Sequence, residues 1–358
     1  MNPCARIMLL TLAFVAVALS AACGNDSPGA TTTDDPSPSD SPDAVSVPRY
    51  GVAGLIPRHF PDASASDWEE LYQSLSAFGG LVGVYTNWSD APVSAGSMPK
   101  VVGTAFGLQS KYRVAPIIAL GVARDSAGGV ISTVNWSDGT ERARFLEAVS
   151  AVADKYRPPY LAIGVEVNRL WQSDPAAFDA FVTVYAEAYD AIKKQSPQTK
   201  VFTIFQLELM KGRANLSTGK PQTAPQWELL TRFAGKLDVA GFTTYPFLAY
   251  ETPGAIPADY FAEAATRSGL PIALTEIGWP SAPLSAAPAS AFGGSPEEQV
   301  AFVHRLRDLL TGVPVQFALW SFPNDLGAGA SPPFESVSLR ANDGTPKPAM
   351  VAWQEMTR

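Results

Sequence analysis

From Val47 to the C-terminus, short apolar runs alternate with longer stretches whose apolar residues recur at helical spacing. Apolar runs of roughly four to eight residues bounded by Gly, Pro or polar positions read as buried strands, and the recurring stretches as amphipathic helices. Strands are expected at 50–55, 81–85, 115–120, 160–165, 201–205, 239–243, 272–275 and 315–320. Helices are expected at 66–77, 100–111, 140–156, 174–195, 226–234, 257–268, 295–310 and 348–356. Two carry explicit start signals. Ser295-Pro296-Glu297-Glu298 offers a hydroxyl at the N-cap, proline at the first helical position and a glutamate three residues on; Asp174-Pro175 opens its helix similarly.

Strands that alternate with helices predict an α/β protein with a parallel sheet. A doubly wound open sheet would announce itself by a Gly-rich phosphate turn after the first strand. Here that strand runs into Ile56-Pro57-Arg58-His59, with no G-x-G-x-x-G. Eight alternations in about 310 residues favour a (β/α)8 TIM barrel as a single catalytic domain spanning 47–358.

The first 46 residues follow another pattern. Arg6 precedes an apolar run, Ile7 to Leu19, of signal-peptide length and too short to span a bilayer. The run ends in Leu19-Ser20-Ala21-Ala22-Cys23, which resembles a bacterial lipobox with its Leu one place further upstream than usual. That resemblance implies cleavage before Cys23 and its acylation; the alternative is an ordinary cleaved signal with a spare thiol. Residues 23–46 are rich in Asp, Ser and Pro, have no aromatics, and bury too little to offset their ordering entropy, so a disordered tether is expected. The organisation is therefore a 1–22 lipoprotein signal peptide, a 23–46 tether and the 47–358 barrel. The expected location is the cell surface or periplasmic side of a bacterial membrane, touched only through lipidated Cys23.

Composition narrows the chemistry. Apolar residues make up 46% of the 358, enough for a large core. The formal net charge is −8, and without the five aspartates and Arg6 of 1–46 the remainder carries 25 basic against 29 acidic residues. A nucleic-acid surface needs clustered Lys and Arg, so nucleic acid is not an expected partner. Cys4 and Cys23 are the only cysteines, and His59 and His304 the only histidines. Beyond Cys23 no disulfide framework or thiol-based metal site can form, and a Ser-His-Asp or multi-His zinc centre would have to use one of two isolated histidines. No metal or cofactor is expected, and the scarcity points to chemistry run by carboxylates.

A barrel carries its active site at the C-terminal ends of its strands. The fourth run ends in Ile163-Gly164-Val165-Glu166-Val167-Asn168 and the seventh in Leu274-Thr275-Glu276-Ile277-Gly278-Trp279-Pro280. A carboxylate directly after a buried strand is wasteful unless it faces a site. Strands four and seven lie across the mouth, so Glu166 and Glu276 can converge as the carboxyl pair that glycoside hydrolysis needs. Other strand ends suit a sugar cleft: Thr243-Thr244-Tyr245-Pro246, Trp320-Ser321-Phe322 and Tyr85-Thr86-Asn87-Trp88 offer aromatic faces and hydrogen-bonding groups. Arg169 is close enough to pair with Glu166. Gln206 and Glu208 follow strand five and could face the cleft, with a solvated loop the favoured reading; His59 follows strand one and could touch substrate, and His304 sits mid-helix in a structural position.

These motifs resemble the paired signatures of clan A, the large clan of retaining barrel glycosidases. The run Thr275-Glu276-Ile277-Gly278-Trp279-Pro280-Ser281 is most similar to elements of endo-β-1,3-glucanases (family 17) and endo-β-1,4-galactanases (family 53). The resemblance implies Glu166 as acid/base, Glu276 as nucleophile, Tyr245 as hydrogen-bond partner of the nucleophile and Trp320 as platform under the cleaved sugar. Asn168, Trp279, Tyr85 and Asn87 complete the expected substrate contacts. The segment from Leu339 to Ala349 is similar to the closing segment of many such enzymes. One departure is Val165, where the clan usually has an Asn that bonds the sugar 2-hydroxyl; some β-mannanase-like members also lack it. The expected activity is a monomeric O-glycosyl hydrolase, endo-type favoured, acting on a β-linked polysaccharide or oligosaccharide. The alternative, motivated by Val165, is a non-catalytic cell-surface glycan-binding protein on a degenerate barrel. A phosphate-site aldolase is disfavoured, because the loops after strands seven and eight lack a Gly-rich helix start.

Overall fold

In the computed structural model, which describes residues 49–87, 100–121, 123–126, 130–213, 224–283, 294–326 and 334–358, eight parallel strands form a barrel. They are β1 (Arg49–Ala53), β2 (Leu81–Asn87), β3 (Ala115–Gly121), β4 (Tyr160–Ile163), β5 in two pieces (Lys200–Phe202 and Ile204–Gln206), β6 (Ala240–Thr244), β7 (Ile272–Ile277) and β8 (Val315–Trp320). The first piece of β5 pairs with β4 and the second with β6. Since β1 pairs with both β2 and β8, the ring closes through β5. The expected signal peptide, tether and Cys23 lie outside the described residues.

The α-helices are α1 (Ala65–Ser74), α2 (Lys100–Tyr112), α3 (Gly139–Tyr156), α4 (Val167–Ser173), α5 (Pro175–Gln195), α6 (Leu207–Met210), α7 (Tyr260–Ser268), α8 (Pro296–Leu310) and α9 (Pro348–Thr357). The start signals operate as read. The Ser295 hydroxyl accepts from the Glu298 amide at 3.1 Å, and the Asp174 carboxylate from the Ala177 amide at 2.9 Å. Besides the division of β5, four features differ from expectation. The α-helix expected at 66–77 passes into a 3-10 turn, Leu75–Phe78, which Gly79 ends at φ 115°, a left-handed conformation natural to glycine. The helix expected at 226–234 is a 3-10 helix, Trp227–Phe233. Two short helices begin close to strand ends, α4 four residues after Ile163 of β4 and α6 directly after β5, and an antiparallel hairpin (Ala123–Ser126 with Val130–Thr133) follows β3.

Strand side chains alternate between two apolar layers. Ala53, Ile117, Ala119, Ala162, Phe202, Ala273, Phe317 and Leu319 fill the barrel interior. Their strand neighbours Val52, Ile118, Leu120, Leu161, Leu274, Ala318 and Trp320 point into the larger shell between strands and helices. This period of two decides which residues at each strand end look into the mouth.

Candidate active site

Both expected glutamates are delivered to the mouth by irregular backbone. At β4 the strand stops at Ile163, and Gly164 turns the chain at φ 84°. A Cβ on Gly164 would lie 2.5 Å from Val167 Cγ1 and 2.7 Å from Phe181 Cζ, so only glycine fits. Glu166 then sits at φ 51° as the residue preceding α4. A non-glycine residue there costs on the order of 1–2 kcal/mol, which the surrounding packing must hold. Glu166 is 8% exposed, and its carboxyl has partners on both oxygens. Oε1 accepts from the Thr243 hydroxyl at 2.7 Å, and Oε2 from the Arg169 guanidinium at 2.9 Å.

At β7 the device is a bulge. Leu274 is in register with Phe242 of β6, and Glu276, two residues on, is in register with Thr243, one residue on. The extra residue shifts the phase, so Glu276 turns inward although Leu274 points outward. Glu276 is 3% exposed and accepts a 2.5 Å hydrogen bond from the Tyr245 hydroxyl. Burial, followed by the charge of Glu166, pushes its carboxyl up to about 8, against the pull of hydrogen bonds from Tyr245 and Tyr85. The Tyr85 hydroxyl also donates to the Thr275 carbonyl at 2.7 Å. Burial and the adjacent Glu276 raise the phenols of both Tyr85 and Tyr245 well above their ordinary value, so both remain neutral donors.

Behind Tyr245 stands a polar network. The Ser321 hydroxyl donates to Tyr245 Oη at 2.9 Å. Glu208, completely buried, accepts on Oε1 from the Thr244 hydroxyl (2.8 Å), the Tyr245 amide (3.0 Å) and the Tyr260 hydroxyl (2.6 Å), and on Oε2 from Gln206 Nε2 (2.5 Å). Burial raises the Glu208 carboxyl above its ordinary value, while these donors pull the other way. Gln206 is bracketed by Asn168: its amide donates to Asn168 Oδ1 at 2.9 Å, and its carbonyl accepts from Asn168 Nδ2 at 3.0 Å.

Thus Glu166, Glu276, Tyr245 and Tyr85 come together at one end of the barrel. The other expected contacts stand differently. Trp320 is 0% exposed, donates from its indole to the Val337 carbonyl and packs edge-on against Trp353 and Phe302. Alternation points it into the helix shell, so the platform role is corrected; Ser321 is the inward residue at the end of β8. Trp279 is likewise fully buried, stacked on Phe302 with ring centroids 5.3 Å apart. Asn168 is fully buried, its amide bonded to the Gln206 backbone and donating also to Gln226 Oε1 at 3.2 Å, so it braces the site and offers nothing to a sugar. Gln206 and Glu208 are buried, not in a solvated loop. Asn87 ends β2, and Trp88 lies outside the described residues. His59, half exposed, faces Asp67 with Nδ1 3.3 Å from Oδ1, and His304 is exposed on α8.

The sequence reading favoured a solvated loop for Glu208, named Thr243 without its contact to Glu166, and did not single out Tyr260. A signal existed for Glu208: it sits within Gln206-Leu207-Glu208-Leu209-Met210, an apolar setting that a solvated loop does not need. Among the described residues, no group of three or more His, Cys, Asp or Glu is placed to hold a metal, and no helix is long and apolar enough to cross a membrane.

The chain matches no protein-family model and no curated protein in sequence. Its fold is shared with solved glycoside hydrolases. A family 39 glycoside hydrolase from the gut symbiont Bacteroides cellulosilyticus WH2 is 19% identical with a TM-score of 0.59, over 86% of this chain and 62% of that one. GH5_18 from Streptomyces cattleya, solved with Manβ1-4GlcNAc, is 16% identical with a TM-score of 0.61, over 87% and 80%. A hyperthermophilic β-glucosidase from Pyrococcus furiosus is 13% identical with a TM-score of 0.56, over 81% and 84%. At such identities the likeness shows the (β/α)8 fold.

Proposed function

We propose that this protein is a retaining glycoside hydrolase acting on a β-linked polysaccharide or oligosaccharide, endo-type favoured. The observation that carries the proposal is the pair of buried carboxylates, Glu166 from the end of β4 and Glu276 from β7, close enough for the charge of one to raise the proton affinity of the other. Two carboxyls brought to one barrel mouth, one to donate a proton and one to attack, are what a two-step displacement needs. With the proton on Glu166, the Glu276 carboxylate attacks the anomeric carbon while Glu166 delivers its proton to the departing oxygen. Water then attacks the glycosyl-enzyme, gives its proton to Glu166, and Glu276 leaves. Tyr245 and Tyr85 hold Glu276 in line and stabilise its negative form. The strand-seven run supports a relationship to families 17 and 53, and the leader with Cys23 supports a tether outside a bacterial membrane.

Val165 favours the second reading, a glycan-binding protein without turnover: it lines the barrel interior as an apolar residue beside Glu166. A panel of β-glucan, galactan, xylan and mannan decides between them. Hydrolysis that disappears in Glu276→Ala, with the β-anomer released first in a proton NMR time course, is expected. Initial release of the α-anomer would overturn the retaining mechanism. Binding without hydrolysis would establish the second reading.

A further inference from the structure

We infer that Glu208 is a positioning residue of this site, one buried carboxylate that fixes Tyr245 against Glu276 and ties it to the segment that carries Glu166. The inference rests on the catalytic reading above.

Glu208 touches neither catalytic glutamate. Its place in the network is what assigns the role. On one side it receives the backbone amide of Tyr245 and the hydroxyl of the preceding Thr244. These two contacts fix the backbone from which the Tyr245 ring projects, and the far end of that ring donates to Glu276. On the other side it receives Gln206 Nε2, and Gln206 is held through its own amide and carbonyl by Asn168, two residues after Glu166 on α4. A continuous path of hydrogen bonds and short backbone links therefore runs from Glu166 through Asn168, Gln206, Glu208 and Tyr245 to Glu276.

A barrel core does not need this arrangement. A fully buried carboxyl is expensive, and an apolar residue would pack the space behind β6 more cheaply. What an apolar residue cannot do is accept four hydrogen bonds from three directions, which is the capacity of a carboxylate. The third direction is Tyr260 of α7, whose other surroundings include the Lys211 ammonium, 4.6 Å from its ring centre and paired with Glu263. Tyr250 packs edge-on against Tyr260. Around Glu276 itself the titratable groups are Tyr85 of β2, Glu166 after β4 and Tyr245 after β6. Of these, Tyr245 is the one that Glu208 touches.

The consequence is testable through Tyr245. Glu208→Gln keeps the shape, but whichever way its amide turns, the NH2 meets a donor, either Gln206 Nε2 or the Thr244, Tyr245 and Tyr260 group, so the path behind Tyr245 is broken on one side and its hydrogen bond to Glu276 loosens. Expected are a fall in kcat of roughly tenfold or more with KM little changed, and a low-pH limb of the rate profile displaced upward by about one unit. Tyr245→Phe should produce the same displacement, and Glu208→Gln added to Tyr245→Phe should displace it no further, because residues acting through one contact are not additive. Independent, additive displacements, or an unmoved limb in a folded Glu208→Gln protein, would overturn the inference. Carbon-13 titration of the Glu276 carboxyl in the unsubstituted protein, the two single variants and the double variant measures the same displacement without turnover. An absence of hydrolysis on every substrate would therefore remove the catalytic reading while the Glu208–Tyr245 coupling is still measured. Should Glu208→Gln fail to fold, Thr244→Val, which removes one Oε1 donor, takes its place with a smaller displacement in the same direction.

Discussion

Replacing Glu276 by Gln is expected to stabilise the protein, and increasingly so as pH rises. Glu276 is buried in the barrel mouth, and its carboxyl is pushed up to about 8 from an ordinary value of 4.5. Between those two values the folded protein holds a proton that the unfolded chain has released. Stability is then fully present below the ordinary value and is lost as pH rises towards the folded one. The loss is about 1.4 kcal/mol per pH unit, or about 5 kcal/mol across the whole window. The slope belongs to the coupled pair, but Glu276→Gln removes both of its causes, the burial of a charge and the repulsion with Glu166. The Tyr245 hydroxyl keeps an acceptor in the amide oxygen, so that donor is not left unsatisfied. With roughly 300 ordered residues, 1 kcal/mol corresponds to about 1.6 °C in Tm. Differential scanning fluorimetry of both proteins should show the Tm advantage of Glu276→Gln widening by about 6 °C between about pH 5 and about pH 8. A constant difference across that range would refute the reasoning, because it would mean that Glu276 ionises in the fold as readily as in the unfolded chain.

Three further outcomes are expected. Tyr245→Phe removes a charge-assisted donor worth about 1.5–3 kcal/mol, so kcat/KM at neutral pH should fall roughly tenfold to a hundredfold and recover as pH is raised; a pH-independent loss would count against the role. Trp320→Ala should cost about 3–5 kcal/mol in urea unfolding, as for any large core aromatic, and retained stability with weakened sugar binding would restore the platform reading. Gly164→Ala combines a left-handed φ with a Cβ at 2.5 Å from Val167 Cγ1, so a loss of more than about 2 kcal/mol is expected, and a neutral outcome in thermal unfolding would show that the β4 turn is adaptable.

The barrel was legible because its signal is repeated. Eight apolar runs, each followed by a stretch of helical period, leave little choice of architecture, and a missed boundary in one run does not change the count. Where the structure departs from the reading, the cause is local. Strand five was expected as one run at 201–205, but Thr203 divides it into a piece that pairs with β4 and a piece that pairs with β6. The short helices α4 and α6 each begin within four residues of a strand end, inside a window too narrow for any periodicity to appear. The long helix start at Asp174 was visible because Pro175 marks it; nothing comparable marks Val167.

The candidate site was legible in its residue types but not in its phase. Reading Trp320 as a platform assumes that an aromatic at a strand end looks into the mouth, yet Phe317 and Leu319 already occupy the inward positions of β8, and the period of two sends Trp320 outward and Ser321 inward. The same arithmetic applied to β7 would have sent Glu276 outward as well, since Leu274 points into the helix shell. It faces the mouth because a bulge at Thr275 adds one residue, and a bulge leaves no mark in the pattern of apolar positions. Glu166 reaches the same space through a left-handed residue pair, Gly164 and Glu166, separated by Val165. Both carboxylates are thus placed by departures from regular strand geometry, each with a local energetic cost. A fold that needed only stability would have continued the alternation. The two irregularities, converging on one pair of acidic side chains, are themselves an argument that the site was selected for chemistry.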